Sequence, residues 1–404
     1  MSLKIAFIVI LQISALSADQ FLVRNHEAEE NPYDLSNQDV KWMREATKKQ
    51  LQGCRVKGAD GTWMHTPDGV GNYKALWTRD FYYMVEYAGD LIDPMEIKAS
   101  INYLLNGQRG DGCIPDRVNP EGIPVYSPGP QNKPMADHAL DNGPFMALLV
   151  CSFVNQFQDE DLFCKVEGRI KMGLDFIRRG DSGLVYNDPK DPQCTYGFTD
   201  IVKKTGNLLF SSLLYYKACL EMEQLCNKYG CGNSSIYRER SQTIRQNINK
   251  LRDEQSGMFW AADQDCKQID IWGSAYAVEV GITTKEQANR ISDFLIKNYG
   301  DIAFEGQFRH LSGWDSGWNN LFIPCKEGTY QNGAYWATPL AWMVPVIARQ
   351  NSKMAGEIVQ TVVADFQKNG INECINEDYF KIPNYVVSAT NVYFLTKSPQ
   401  KGQE

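Results

Sequence analysis

Trp77-Thr78-Arg79-Asp80 sets a guanidinium beside a carboxylate under an indole. That trio suits the grip of a pyranose. The aspartate accepts hydrogen bonds from vicinal hydroxyls, the guanidinium donates in a fixed fork, and the indole covers the apolar C–H face of the ring. Taken alone, the tetrapeptide reads first as an ion pair at a helix start, because surface Arg-Asp neighbours are common. Its surroundings must decide.

Four further segments, 111–117, 196–200, 328–336 and 370–376, are rich in acids, amides and aromatics. Together they form the toolkit for holding a polyol and hydrolysing its acetal, which needs one carboxylic acid to protonate the leaving oxygen and one carboxylate to activate water or attack carbon. Asp200 follows Tyr196-Gly197-Phe198, whose rings can desolvate it and raise its pKa, as a general acid requires. Its plain role is a helix cap. Glu373, between Asn372 and Cys374 after the helix stop Asn369-Gly370, is a better base than Glu377 or Asp378, which repel one another in a polar setting; its plain role is a solvated surface glutamate. Asp116, Gln331, Asn332, Tyr335 and Trp336 join Trp77, Arg79 and Asp80 as candidates for binding substrate. Asp116 and Asp141 also read as turn or cap residues. Asp315, between Trp314 and Trp318, is the runner-up for either catalytic role, and Trp314, Trp318 and Trp336 are sugar platforms or core residues.

These groups sit on a helical framework. Asp93-Pro94-Met95-Glu96 is an N-cap, a proline at the first helical position and a capping glutamate, followed by Ile97, Ile101, Leu104 and Leu105 on one side. A second start at Thr283-Thr284-Lys285-Glu286-Gln287 leads into Ala288, Ile291, Phe294 and Leu295. Similar signals predict helices at 37–52, 79–90, 144–156, 165–179, 205–228, 236–254, 333–349 and 352–368. No strand-helix alternation recurs, so the fold class is all-α. A solenoid would need a fixed repeat with shared consensus positions, and none is found. The expectation is a closed toroid of helical hairpins with its long loops at one end.

Residues 1–18 read as a secretory signal peptide: Lys4, an apolar run over 5–13, and Ala15-Leu16-Ser17-Ala18, with cleavage after Ser17 or Ala18. Residues 19–404 then form a single exported catalytic domain. No later stretch has the roughly 18 uninterrupted apolar residues of a membrane span. The net charge of −8 and pI near 5.3 argue against nucleic acid and acidic membranes as partners. Eleven cysteines in an oxidising compartment predict some pairing, with a local bridge among Cys219, Cys226 and Cys231 and at least one thiol left over. Asn233-Ser234-Ser235 is a glycosylation sequon. With no Cys-X-X-Cys and only His26, His65, His138 and His310, no zinc site and no cofactor are expected.

Trp77-Thr78-Arg79-Asp80 resembles the motif by which glucoamylases hold the non-reducing sugar. Residues 196–200 with 204–209, and Gln331-Asn332-Gly333-Ala334-Tyr335-Trp336, resemble segments of the six-hairpin glycosidase superfamily, which includes glucoamylases, processing α-glucosidases and trehalases. The resemblance spans roughly residues 40–395. It implies an (α/α)6 barrel and, in many members, inverting hydrolysis of a terminal sugar, here possible for an α-glucoside in an oligosaccharide or polysaccharide. By position, Asp200 matches the acid, Glu373 the base, and Arg79 and Asp80 the sugar-binding pair. Glucoamylases carry a Glu-Glu pair where this chain has Asp200 followed by Lys203-Lys204; lysines facing the acid would depress its pKa, so both are expected to face solvent. Two other classes compete: a polysaccharide lyase, which needs a basic cleft with a Tyr or His base, and a carbohydrate-binding protein that has lost catalysis.

Overall fold

The computed structural model describes residues 31–397; the proposed signal peptide lies outside them. Thirteen α-helical segments dominate these residues: α1 (Asn37–Gly53), α2 (Thr78–Ala88), α3 (Pro94–Asn106), α4 (Asn142–Phe157), α5 (Glu160–Phe176), α6 (Leu209–Tyr229), α7 (Ser234–Asn247), α8 (Ile271–Glu279), α9 (Lys285–Lys297), the single turn α10 (Tyr299–Ile302), α11 (Leu340–Ala348), α12 (Ser352–Asn369) and α13 (Val386–Thr396). Strands occur only as short antiparallel pairs and one three-stranded patch in the connecting loops. None of these helices is long and apolar enough to cross a membrane.

The helices sort into two layers by burial. α13 buries ten of its eleven residues and α2 ten of eleven, whereas α1 buries three of seventeen and α7 three of fourteen. A helix apolar on every side must be surrounded, and one with a single apolar stripe lies outside. The contacts follow this division: α2 packs on α4, α4 on α6, α6 on α8, α8 on α11, α11 on α13, and α13 on α2. The amphipathic helices α1, α5, α7, α9 and α12 lie against α13, α4, α6, α8 and α11. Aromatic rings fill the middle. Tyr196 stacks on Phe210 at 3.7 Å and Phe210 on Tyr276 at 5.0 Å, with Trp342 edge-on to both Phe210 and Tyr276. Tyr83 and Tyr196 join their hydroxyls at 3.0 Å within the same cluster.

The capping signals place α3 and α9 where the sequence predicts them; Asp93 accepts from Met95 N–H, and Thr284 and Gln287 form a reciprocal capping box. Other expected boundaries shift for local reasons. The helix predicted from 205 begins at Leu209, because Gly206 has φ +86°, outside the helical region. The helix predicted from 333 begins at Leu340, since Pro339 disfavours helical backbone at Thr338 before it. The helix predicted at 236–254 ends as α7 at Asn247 and continues as a tighter turn over Ile248–Leu251. The expected local bridge is corrected: Cys231 pairs with Cys164, 67 residues away, and ties α5 to the turn after α6. Of the nine unpaired cysteines among the described residues, all but Cys325 are buried.

Candidate active site

Gly197 is pressed so closely against Arg79 that a Cβ there would lie 1.9 Å from the arginine's Cδ. This contact packs the 196–200 turn onto the start of α2. Leu76–Trp77 pairs with Arg117–Val118, Thr78 N–H donates to the Asp116 carbonyl, and Thr78 Oγ1 donates to that of Pro115 at 2.7 Å. Arg79 is therefore delivered, buried, into the middle of three carboxylates. It pairs with Asp116, with Asp200 at 3.2 Å and with Asp80 at 3.7 Å. Burial works against its charge, yet these carboxylates outweigh burial and hold the guanidinium protonated. The guanidinium also lies 4.7 Å from the Trp77 ring centroid, and that of Arg117 lies 4.5 Å from it.

A cavity of about 300 Å³ opens beside this cluster. Trp77, Arg79, Asp80, Asp200, Gln331, Trp336 and Glu373 line it, from four separate regions of the chain. Asp200 does not cap a helix by its side chain; it closes a short turn over Gly197–Thr199, nine residues before α6. Burial raises its pKa to about 6, against the pull of Arg79. Glu373 lies on a strand rather than in a loop. Asn372–Asn376 pairs with Tyr379–Pro383 as a hairpin, with Asn372 opposite Pro383 and Cys374 opposite Lys381. Glu373 Oε1 accepts from Tyr73 Oη at 2.7 Å, while the buried Oε2 lies 3.4 Å from Lys381 Nζ without a hydrogen bond. Burial raises Glu373 to about 7, against Lys381 and Tyr73. Asp80 accepts from Tyr385 Oη at 2.7 Å, and burial lifts it to about 6, against Arg79.

The remaining candidates divide. Gln331 ties two walls together, accepting from Ile201 N–H at 3.0 Å and donating to the Gly197 carbonyl at 3.3 Å. Trp336 lines the cavity although it is buried. Asp116 stays behind Arg79 and also pairs with Arg117 at 2.8 Å. Asn332 and Tyr335 do not line the cavity: Asn332 accepts from Trp318 N–H and donates to the Cys325 carbonyl, and Tyr335 exchanges backbone hydrogen bonds with Ile375. Asp141 accepts from Gly197 N–H at 2.7 Å, behind the turn. Lys204 is corrected from solvent to interior: its Nζ donates to Thr199 Oγ1 and lies 4.9 Å from the Trp318 ring. Trp314 and Asp315 lie on a different face.

Tyr73, Lys381 and Tyr385, which contact the carboxylates of Glu373 and Asp80 on the cavity wall, are not legible in the sequence. The Asp68 carboxylate accepts from the N–H groups of Val70, Asn72 and Tyr73, and this turn aims Tyr73 at Glu373. Lys381 Nζ lies 3.1 Å from the Tyr330 ring centroid. Its signal is the polar turn Asn376-Glu377-Asp378 between two short runs, which marks a hairpin.

No family model matches the chain, and no curated protein matches it by sequence. Solved structures do. An uncharacterized conserved protein from Thermus thermophilus matches with TM-score 0.67 and 13% identity over 88% of this chain and 100% of its own. The GH63 mannosylglycerate hydrolase from the same organism, in complex with glucose, matches with TM-score 0.66 and 14% identity over 88% and 100%. A rhamnosidase from Klebsiella oxytoca with rhamnose bound gives TM-score 0.64 and 12% identity over 89% of this chain and 64% of its own. This chain shares their fold.

Two outcomes follow from the packing and charge of the site. Gly197→Ala pushes a methyl group into the Arg79 side chain and lowers stability by about 1–3 kcal/mol, read as a lower denaturant midpoint. Glu373 binds a proton more tightly folded than unfolded, so its contribution is fully present below its ordinary pKa of 4.5 and is lost as pH rises through about 7. The melting temperature of Glu373→Gln therefore gains on wild type between pH 4.5 and 7.5; parallel curves would contradict this.

Proposed function

We propose that the protein is an exported glycoside hydrolase that removes a terminal sugar, using Asp200 as general acid and Glu373 as general base. The observation that supports it most is the meeting of both buried carboxyls with the Arg79-Asp80 pair around one cavity of about 300 Å³. That volume is at the lower end for ligand sites, of roughly 300–1,000 Å³, and suits a single ring rather than a length of polymer. The ring of contacts through α2, α4, α6, α8, α11 and α13 supports reading the fold as a closed (α/α)6 barrel, and fold neighbours that are glycoside hydrolases support the reaction class. Three carboxylates on the cavity wall against Arg79 and Lys381 disfavour the uronic acids that a lyase would take.

In this reading Asp80 and Arg79 hold hydroxyls of the terminal ring. Glu373 removes a proton from water as its oxygen attacks the anomeric carbon, while Asp200 gives its proton to the departing glycosidic oxygen, inverting the configuration. Export rests on residues 1–18, and glycosylation on Asn233, which stands exposed at the start of α7. An α-glucoside within an oligosaccharide is the substrate that the resemblance to glucoamylases implies.

One observation favours a second reading with the two roles exchanged. Glu373 keeps its proton to about pH 7, whereas Asp200, beside Arg79, keeps its own only to about 6. The tests separate these assignments. Wild type releases a monosaccharide from at least one α- or β-linked glycoside, with a bell-shaped kcat/KM profile whose limbs fall near pH 6 and 7. Asp200→Asn and Glu373→Gln each lower kcat by roughly 10²–10⁴. With a glycosyl fluoride, whose leaving group needs little protonation, the acid variant recovers and the base variant does not. Recovery by Glu373→Gln would assign the acid role to Glu373. No release from any glycoside would overturn the hydrolase.

A further inference from the structure

A second concavity of about 860 Å³, open to solvent, lies between α9 and the loops around residues 253–269 and 314–319. It shares no lining residue with the cavity that holds Asp200 and Glu373. Trp314 stands in it. Of the nine tryptophans this is the most exposed, at 63%, and Phe294 supports the indole edge-to-face at 5.9 Å. An indole left open to water on a groove wall costs solvation unless something covers it.

The loop that presents this ring is fixed in advance. Gln268 Nε2 donates to Asp315 Oδ1 at 3.1 Å and to the Gly317 carbonyl at 3.0 Å, and Gln268 Oε1 accepts from Asn319 N–H at 2.8 Å. Ser312 donates to the other Asp315 oxygen, and Arg309 to the Asp315 carbonyl at 2.6 Å. At the loop's far end Trp318 turns inward, its Nε1 donating to the carbonyl of Gln331. The rigid turn thus separates an outward indole from an inward one, which lowers the entropy lost when a ligand meets Trp314.

The remaining lining selects the ligand class. The groove is lined by three carboxylates, Asp253, Asp293 and Asp315, and three cations, Lys267, Arg290 and Lys297, so its charges balance and it has no net preference for an ion. Gln255, Asn298 and Asn319 supply amides that both donate and accept. Lys267 Nζ lies 3.9 Å from the Trp260 ring centroid and covers it, which leaves Trp314 as the open platform. A neutral ligand with an apolar face and a fringe of hydroxyls meets all of these features.

We propose that this groove is a second carbohydrate-binding site, which takes a neutral oligosaccharide by stacking one ring on Trp314 and pairing its hydroxyls with the amides. The site does not depend on the hydrolase reading, and it would hold a glycan on the protein outside the catalytic cavity. The test is calorimetric titration of the full chain carrying Asp200→Asn with maltoheptaose, cellohexaose and mannohexaose. At least one probe binds saturably, and adding Trp314→Ala weakens it roughly tenfold or more with the melting temperature unchanged. Absence of binding by all three, binding indifferent to Trp314→Ala, or retention of a peptide pool in place of the sugars overturns the proposal. Should no glycoside be hydrolysed by wild type while Trp314-dependent binding persists, the hydrolase reading falls and this one stands.

Discussion

One buried guanidinium orders the candidate site. Arg79 carries the charge that lets Asp80, Asp116 and Asp200 sit together away from water, three like charges that would otherwise repel or take up protons. Its position is set from two sides: Trp77 precedes it on the strand leading into α2, and Gly197 lies where any larger residue would collide with it. Glycine at 197 is thus required by close approach, not by backbone conformation. The proposed sugar grip, the first candidate catalytic carboxyl and the turn that holds it depend on that one side chain.

The second carboxyl is held by different means. Glu373 has no arginine; it has a tyrosine hydroxyl on one oxygen, an ammonium near the other, and a strand for a base. The two carboxyls consequently differ in how tightly they are bound, and that difference is what acid-base division of labour needs. The stacked rings of Tyr196, Phe210 and Tyr276 pack between the inner helices, and Phe198 and Trp336 carry that aromatic packing to the cavity wall. Low dielectric there is the common cause of the raised pKa values of Asp80, Asp200 and Glu373.

What the sequence reveals follows from where each element sits. α1, α3, α9 and α12 carry one apolar stripe and explicit caps, and are legible at nearly their true bounds. α8 and α13 escape notice because they are surrounded by protein and have no polar face to set the period. The Cys164–Cys231 bridge is hidden because pairing across 67 residues is a property of the fold. In the site, Arg79, Asp80, Asp200, Gln331, Trp336 and Glu373 stand out by residue type in loops and at element starts, and they line one cavity. Tyr73, Lys381 and Tyr385 acquire their places only when the Asp68 turn, the 372–383 hairpin and α13 meet, which local patterning does not encode. Asn332 resembles a ligand-binding residue because an amide also serves as a loop fastener, and Tyr335 is held through its backbone rather than its phenol.

The most direct test is a crystal structure of the full chain carrying Glu373→Gln, soaked with a hydrolysed glycoside or, failing one, with glucose. The terminal ring is expected in the cavity beside Trp336, with Asp80 and Arg79 on its hydroxyls and its anomeric carbon between residues 200 and 373, whose carboxyl positions stand roughly 6.5–9.5 Å apart. A ring seated with its anomeric carbon away from both side chains would contradict the account.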